Sequence, residues 1–230
     1  MEIIIEVVAI GSKSKGKKER YKMYSICTAF IDNGKIEEEL NNFSKAETKF
    51  TKDIGVLFRK FFQCQTQPHI IWSITEWTSE KHHNQAANSI MKIRYDDRIA
   101  SIAFGPSPYF EIFCEEEKSL KTGTYSDDLN YIIISHGLIS ESVREKYLNI
   151  REERVKNYLE KIPWLSLYYN TYNSDEFVAF LGFQDEAEYQ KIWGINRLLL
   201  EEYLFTGLRK PLGMSLIASY NQFVCKPLKV

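Results

Sequence analysis

Two stretches of the chain repeat each other at a spacing of 106 residues. Ile71-Trp72-Ser73-Ile74-Thr75-Glu76-Trp77-Thr78-Ser79-Glu80 is echoed by Phe177-Val178-Ala179-Phe180-Leu181-Gly182-Phe183-Gln184-Asp185-Glu186. In each, a short apolar strand ends in an aromatic residue. Two residues later comes a helix N-cap, then a glutamate that suits the positive end of a helix. The same spacing lays Tyr109-Phe110-Glu111-Ile112-Phe113 on Ser215-Leu216-Ile217-Ala218-Ser219. A repeat on this scale implies two copies of one supersecondary unit. The chain has 230 residues, which allows two units of about 115 residues each. The polar, charged stretch from Glu115 to Asp128 is the natural boundary, giving units 1–116 and 127–230.

The second unit is the easier to read. Leu129–Ile139 is an apolar strand, and Ser140 caps an amphipathic helix that runs to about Lys161, where Pro163 stops it. Two strands, Trp164–Tyr172 and Glu176–Phe183, flank Asn173-Ser174-Asp175 as a hairpin. Asp185 caps a second helix, and a last strand covers about Ser215–Val224. This β-α-β-β-α-β order is the ferredoxin-like unit. The fold class is therefore α+β, with two tandem ferredoxin-like units and antiparallel sheets.

The first unit fits less well. Ile3–Ile10 and Tyr21–Ile31 both read as strands, with Asp32-Asn33-Gly34 as a closing turn. Phe50, Ile54, Leu57, Phe58, Phe61 and Phe62 recur at three- and four-residue steps, which predicts a helix from Ala46 to Gln63. His69–Trp77 is a strand, Ser79 caps a helix to about Met91, and Tyr109–Cys114 is a strand. That leaves an irregular, extended N-terminal part, with one strand between the two helices.

Charge and cysteine usage remove several function classes. Lys+Arg is 30 and Asp+Glu is 31, so the net charge is −1 and no nucleic-acid partner is expected. The basic loop Lys13–Arg20 lacks the Ser/Thr that a phosphate-cradling loop needs after Gly11 to Gly16 and Lys17. No apolar run reaches the length of a membrane span, and MEIIIEVVAI lacks the basic start of a secretory signal. Cys27, Cys64, Cys114 and Cys225 form no C-x-x-C pair and no zinc-finger spacing. Isolated thiols of this kind suit a reducing cytoplasm, with no structural metal or disulfide.

Candidate chemistry centres on a few residues. In Tyr131-Ile132-Ile133-Ile134-Ser135-His136-Gly137, alternation puts His136 on the face of Ile132 and Ile134. An imidazole on the apolar face of a central strand needs a hydrogen-bond partner or a ligand. His136 is therefore either a satisfied structural group or a pocket base or axial haem ligand. His82 and His83 point about 100° apart on a helix, so they do not easily share one metal; they are surface or half-buried helix residues, or one is a pocket base or a haem ligand. Glu76 shares the face of Trp72 and Ile74, either poised in a site or at the wet end of its strand.

The phrase Ile74-Thr75-Glu76-Trp77-Thr78-Ser79-Glu80, followed by His82-His83, resembles the dimeric α/β-barrel superfamily, in particular its antibiotic-biosynthesis-monooxygenase-like branch. Gly182-Phe183-Gln184-Asp185-Glu186-Ala187-Glu188-Tyr189 is similar. The resemblance covers residues 69–114 and 129–224, and the extra residues of the first unit depart from it. It implies that the two sheets form a barrel-like arrangement. It also implies a small hydrophobic or aromatic ligand, and possible homo-oligomers. The superfamily holds cofactor-independent monooxygenases, haem-processing proteins and members without known activity, so the fold does not choose among them. On the oxygenase reading His136, His83 and Glu76 are catalytic and Trp77 and Asn88, with Asn84, bind substrate. No cofactor is then needed, because the substrate supplies the electrons to oxygen. The alternatives are a non-catalytic binding or assembly module and a haem-binding protein.

Overall fold

A computed structural model of the chain describes residues 23–31, 33–38, 41, 55–86, 110–116, 121–139, 159–194 and 217–228. The strand expected at 3–10, the basic loop at 13–20, most of the helix expected after Ser140, and Asn88 lie outside the described residues.

Among the described residues there are nine strands: β1 Met23–Phe30, β2 Val56–Cys64, β3 Ile70–Trp77, β4 Phe110–Glu116, β5 Thr122–Gly123, β6 Tyr131–Ile139, β7 Trp164–Asn170, β8 Glu176–Phe183 and β9 Ile217–Pro227. Their order is β4-β1-β3-β2-β9-β6-β8-β7, and β4 also pairs with β7, so eight strands close into a barrel. The two-residue β5 lies outside it, on β7. Every ladder is antiparallel. Within the ring, β4-β1-β3-β2 and β9-β6-β8-β7 are the same arrangement made twice. The strands that carry the sequence repeat, β3 and β8, each lie between the first and second strands of their own set. Their bounds differ by 106 at both ends.

One expected element is different. Val56–Cys64 is the strand β2, where a helix over Ala46–Gln63 was expected. The reason is burial on both faces. Phe62 and Cys64 point into the barrel, while Phe61 packs outside with Ile31 and Ile71. Apolar residues on both faces of a strand imitate three- and four-residue spacing. Gly55 holds φ 79 just before β2, a left-handed conformation that favours glycine. A helical segment begins earlier than expected, with a 3₁₀ turn at Asn33–Lys35 and helical residues 36–38. With β2 in place, the apparent mismatch between the halves disappears. From Met23 to Ile70 is 47 residues, and from Tyr131 to Glu176 is 45.

Alternation along the strands makes two kinds of layer. One face of both sheets points inward, where Phe62, Trp72, Trp164, Tyr168 and Phe180 form the centre of a single cluster. Their rings touch across the barrel, with Phe62 5.7 Å from Phe180 and 6.2 Å from Trp164, and Tyr24 4.8 Å from Tyr168. The other face points outward under helices. In the second set this layer is aliphatic and aromatic: Ile133, Leu165, Leu181 and Phe183 pack on Leu159, Tyr189 and Trp193. Trp77 and Trp193 thus lie outside the barrel, and of the four tryptophans Trp72 and Trp164 face its interior.

Both expected caps are formed. Asp185 accepts from the Glu188 amide at 2.8 Å and begins the helix α2, Glu186–Tyr189, while Glu188 reaches back to the Gln184 amide at 2.7 Å. Ser79 accepts from the His82 amide at 3.3 Å at the start of α1, residues 80–86. No helix among the described residues is long and apolar enough to cross a membrane.

Two stability measurements test this packing. Asp185→Ala should lower unfolding free energy in urea by about 1 kcal/mol. Gly182→Val should cost more, about 1–3 kcal/mol, because a Cβ at Gly182 would lie 2.9 Å from the Trp164 ring and 2.8 Å from Leu129. Wild-type stability in the Gly182→Val protein would contradict this packing.

Candidate functional site

Ladder register allows the two halves to be compared position by position. On the helix-covered face, Arg59, Thr75, Ser25 and Phe113 stand side by side across β2, β3, β1 and β4. The corresponding row of the second half is Leu165, Leu181, Ile133 and Val224 across β7, β8, β6 and β9. A guanidinium and two hydroxyls thus replace two leucines and an isoleucine. The residues above the row change in the same sense, since Trp77 stands for Phe183 and His83 for Tyr189 at the 106-residue spacing. Ser25 is 1% exposed and Thr75 is 0% exposed. Two buried hydroxyls beside a partly buried guanidinium, where the sister layer is a plain hydrophobic core, are not required by the fold.

The polar groups of this layer are held in fixed positions. Arg59 Nε donates to Thr75 Oγ1 at 2.9 Å, with its guanidinium carbon 5.5 Å from the Phe61 ring centre. Trp77 Nε1 donates to Ser25 Oγ at 2.9 Å. His83, 5% exposed, comes from α1 and meets Trp77 and Phe113 edge-to-face, at 5.0 and 4.6 Å. Its Nδ1 lies 3.1 Å from Asn84 Oδ1. The Ser79 cap and α1 set this placement, because the cap stands two residues after Trp77 and the helix turns His83 back over the sheet. His82 has a separate task, since its Nδ1 lies 2.7 Å from Ser79 Oγ and 2.8 Å from Thr78 Oγ1, at the helix start.

The inward face carries a second polar group. His136 Nε2 lies 2.8 Å from Glu176 Oε1, and Glu176 Oε2 accepts from Asn170 Nδ2 at 2.6 Å. The pair is near a barrel mouth, with side chains 25% and 12% exposed. The Trp72 ring centre lies 6.1 Å from that of His136, edge-on. Further round the same face, Tyr24 donates to Glu76 Oε2 at 3.3 Å, and Ser166 donates to Glu116 Oε1 at 3.1 Å. Burial pushes the Tyr24 phenol well above its ordinary value, and the Glu116 and Glu76 carboxylates push it further. Burial and then Glu116 do the same for Tyr168. Burial, with a contribution from Asp127, moves Tyr125 up to about 12. These phenols stay protonated at neutral pH, and Tyr24 donates to Glu76 in that form.

The residues singled out in the sequence therefore fall into two places. Glu76 and His136 face the barrel interior, as alternation indicated. Trp77 and His83 meet each other on the opposite, helix-covered face. Adjacent strand residues such as Glu76 and Trp77 point to opposite sides, so these four do not line one cavity. Sequence reading missed Ser25, Arg59, Thr75, Asn170 and Glu176. Only the ladder brings them to their partners, although the 106-residue spacing already aligned Thr75 with Leu181.

His136 uses Nε2 on Glu176, His82 uses Nδ1 on the helix cap, and His83 uses Nδ1 on Asn84 with rings on two sides. Each of these three histidines engages one ring nitrogen with a neighbouring side chain, and no step is assigned to haem. Among the described residues, no three His, Cys, Asp or Glu side chains converge as metal ligands.

No protein-family model matches the chain, and no curated protein matches it. Solved structures do share its shape. The "putative monooxygenase" of Fusobacterium nucleatum matches with a TM-score of 0.65 at 12% identity, over 92% of this chain and 94% of that one. The "putative monooxygenase" of Lactobacillus acidophilus NCFM gives 0.63 at 9% identity, over 90% and 94%. An "anthrone oxidase-like protein" gives 0.63 at 7% identity, over 92% and 93%. At such identities the likeness is one of fold. The chain shares with them an α+β barrel fold, with both ferredoxin-like sheets supplied by a single polypeptide.

The buried phenols set an alkaline limit. Unfolded tyrosines ionise near pH 10, whereas Tyr24 and Tyr168 are held above that value when folded. The folded chain then binds more protons than the unfolded one, so stability is intact below about pH 10 and falls as pH rises beyond it. Tyr24→Phe and Tyr168→Phe should each flatten that decline in urea melts taken across the alkaline range. An unchanged slope in both would show that these phenols ionise freely in the fold.

Proposed function

We propose that the chain is a small-molecule-binding barrel protein of the cytoplasm that acts as a cofactor-independent monooxygenase-like enzyme on a hydrophobic, aromatic substrate. In this reading residues 1–116 carry the site, between α1 and the sheet, and residues 127–230 are its structural counterpart. The observation that carries the proposal is the row Arg59-Thr75-Ser25 standing where the other half has Leu165-Leu181-Ile133.

The chemistry asks little of the protein. His83 removes a proton from an activated methylene or hydroxyl of the substrate. Trp77 and Phe113 supply aromatic walls, and the Arg59 guanidinium, with Thr75, stabilises negative charge as it develops. The substrate carbanion reduces dioxygen and a carbon–oxygen bond forms, giving a hydroperoxide. Loss of a second C–H proton breaks the O–O bond and leaves a carbonyl, and the departing hydroxide takes a proton to become water. One CH2 and one O2 give one C=O and one H2O. The substrate supplies all four electrons, so no cofactor enters. Glu76 and His136 lie on the other face of the sheet and take no part in this scheme.

The test uses anthrone as probe and follows oxygen uptake together with anthraquinone formation. One O2 should be consumed per anthrone, and His83→Gln should lower kcat/KM by about 100-fold or more. A variant carrying Ser25→Ile, Arg59→Leu and Thr75→Leu copies the second half, and it should stay folded while losing turnover. Uptake no faster than in buffer, or full activity in both variants, would overturn the proposal. A second reading, a binding module without catalysis, is favoured by the mutual satisfaction of Trp77 with Ser25 and of Arg59 with Thr75. It predicts anthrone binding that the triple variant abolishes, without oxygen uptake.

A further inference from the structure

The barrel interior contains two polar side chains that the site above does not use. Trp72 Nε1 and Thr28 Oγ1 are buried and have no hydrogen-bond partner. Trp72 is 2% exposed and Thr28 is 6% exposed. They are direct partners across the β1–β3 ladder, so both lie on the inward face. A buried donor left unpaired costs about 1–3 kcal/mol. Two of them in register make a place where an acceptor atom would be held. Indole N–H only donates, so the missing group must be an acceptor.

The surroundings narrow its chemistry. The Trp72 ring lies 5.2 Å from Phe223 and 6.1 Å from His136, centre to centre. These walls favour a flat ring. Glu76, Glu116 and Glu176 face the same interior, whereas Lys60 and Lys121 are already paired with Asp127 and Glu116. An anion is disfavoured there. The His136–Glu176 pair, held by Asn170 and with side chains 25% and 12% exposed, lies at the end of the barrel from which a ligand would enter.

We propose that the barrel interior beside β1, β3 and β6 is a second binding site, for a neutral planar carbonyl compound whose oxygen accepts from Trp72 Nε1–H and the Thr28 hydroxyl. The site is on the opposite face of the sheet from His83 and does not depend on oxygenase activity.

The experiment uses 9-fluorenone, a neutral planar ketone, and reads the indole N–H resonances of the four tryptophans. The Trp72→Phe spectrum assigns the relevant peak. Fluorenone should move the Trp72 N–H downfield. It should bind about tenfold more weakly to Trp72→Phe and to Thr28→Val, as expected for the loss of about 1.4 kcal/mol. A Trp72 N–H that does not move, or undiminished binding in Trp72→Phe, would overturn the proposal. A shift of the Trp77 resonance alone would place the ketone in the helix-side layer and would overturn it equally.

Discussion

The structure depends on closure of the sheet. A four-stranded sheet of this kind has an apolar face to cover and two bare edges that invite unwanted pairing. Two such sheets placed face to face solve both problems. The ladders β4–β7 and β2–β9 join their edges, and the inward faces bury each other. The division into an interior and a helix-covered exterior follows from this, and alternation then decides which side every strand residue serves.

Because the scaffold is made twice, each half acts as a reference for the other. Ile133, Leu165 and Leu181 show what this layer needs for stability alone. The first half departs from that pattern at buried positions, and tertiary packing would ordinarily select against such a departure. The interior shows the same asymmetry in reverse. Thr28 and Trp72 of the first half correspond by register to His136 and Val178 of the second. The imidazole has a carboxylate partner, while the hydroxyl and indole have none. Duplication of the backbone thus left side-chain chemistry free to diverge on both faces.

Much of this was legible in the sequence, and the rest was not for identifiable reasons. The 106-residue spacing, the Ser79 and Asp185 caps, the hairpin around Asn173 and the central position of β6 are local signals, and each is present in the fold. β2 was hidden because Phe61 and Phe62 are buried on opposite faces, so its period was not two. His136 was placed correctly on the inner face by counting along one strand. Glu176 and Asn170 come to it from other strands, which no count along β6 reveals. Grouping Glu76 with Trp77 failed for the simplest reason, since neighbours on a strand are separated by the sheet.

The two seams that close the ring are equivalent in space but not along the chain. Each joins three residue pairs, Cys114–Asn170 to Glu116–Tyr168 in one and Phe62–Pro227 to Cys64–Cys225 in the other. The first spans 52 to 56 residues of chain and the second 161 to 165. Bringing ends together across three times the length costs about 1 kcal/mol more in chain entropy. The ring therefore has a cheap joint and an expensive one, and the order of closure is written into connectivity. In folding, β2–β9 is the ladder to zip last, at the stage when both halves already exist. In unfolding it is the place where the ring first parts.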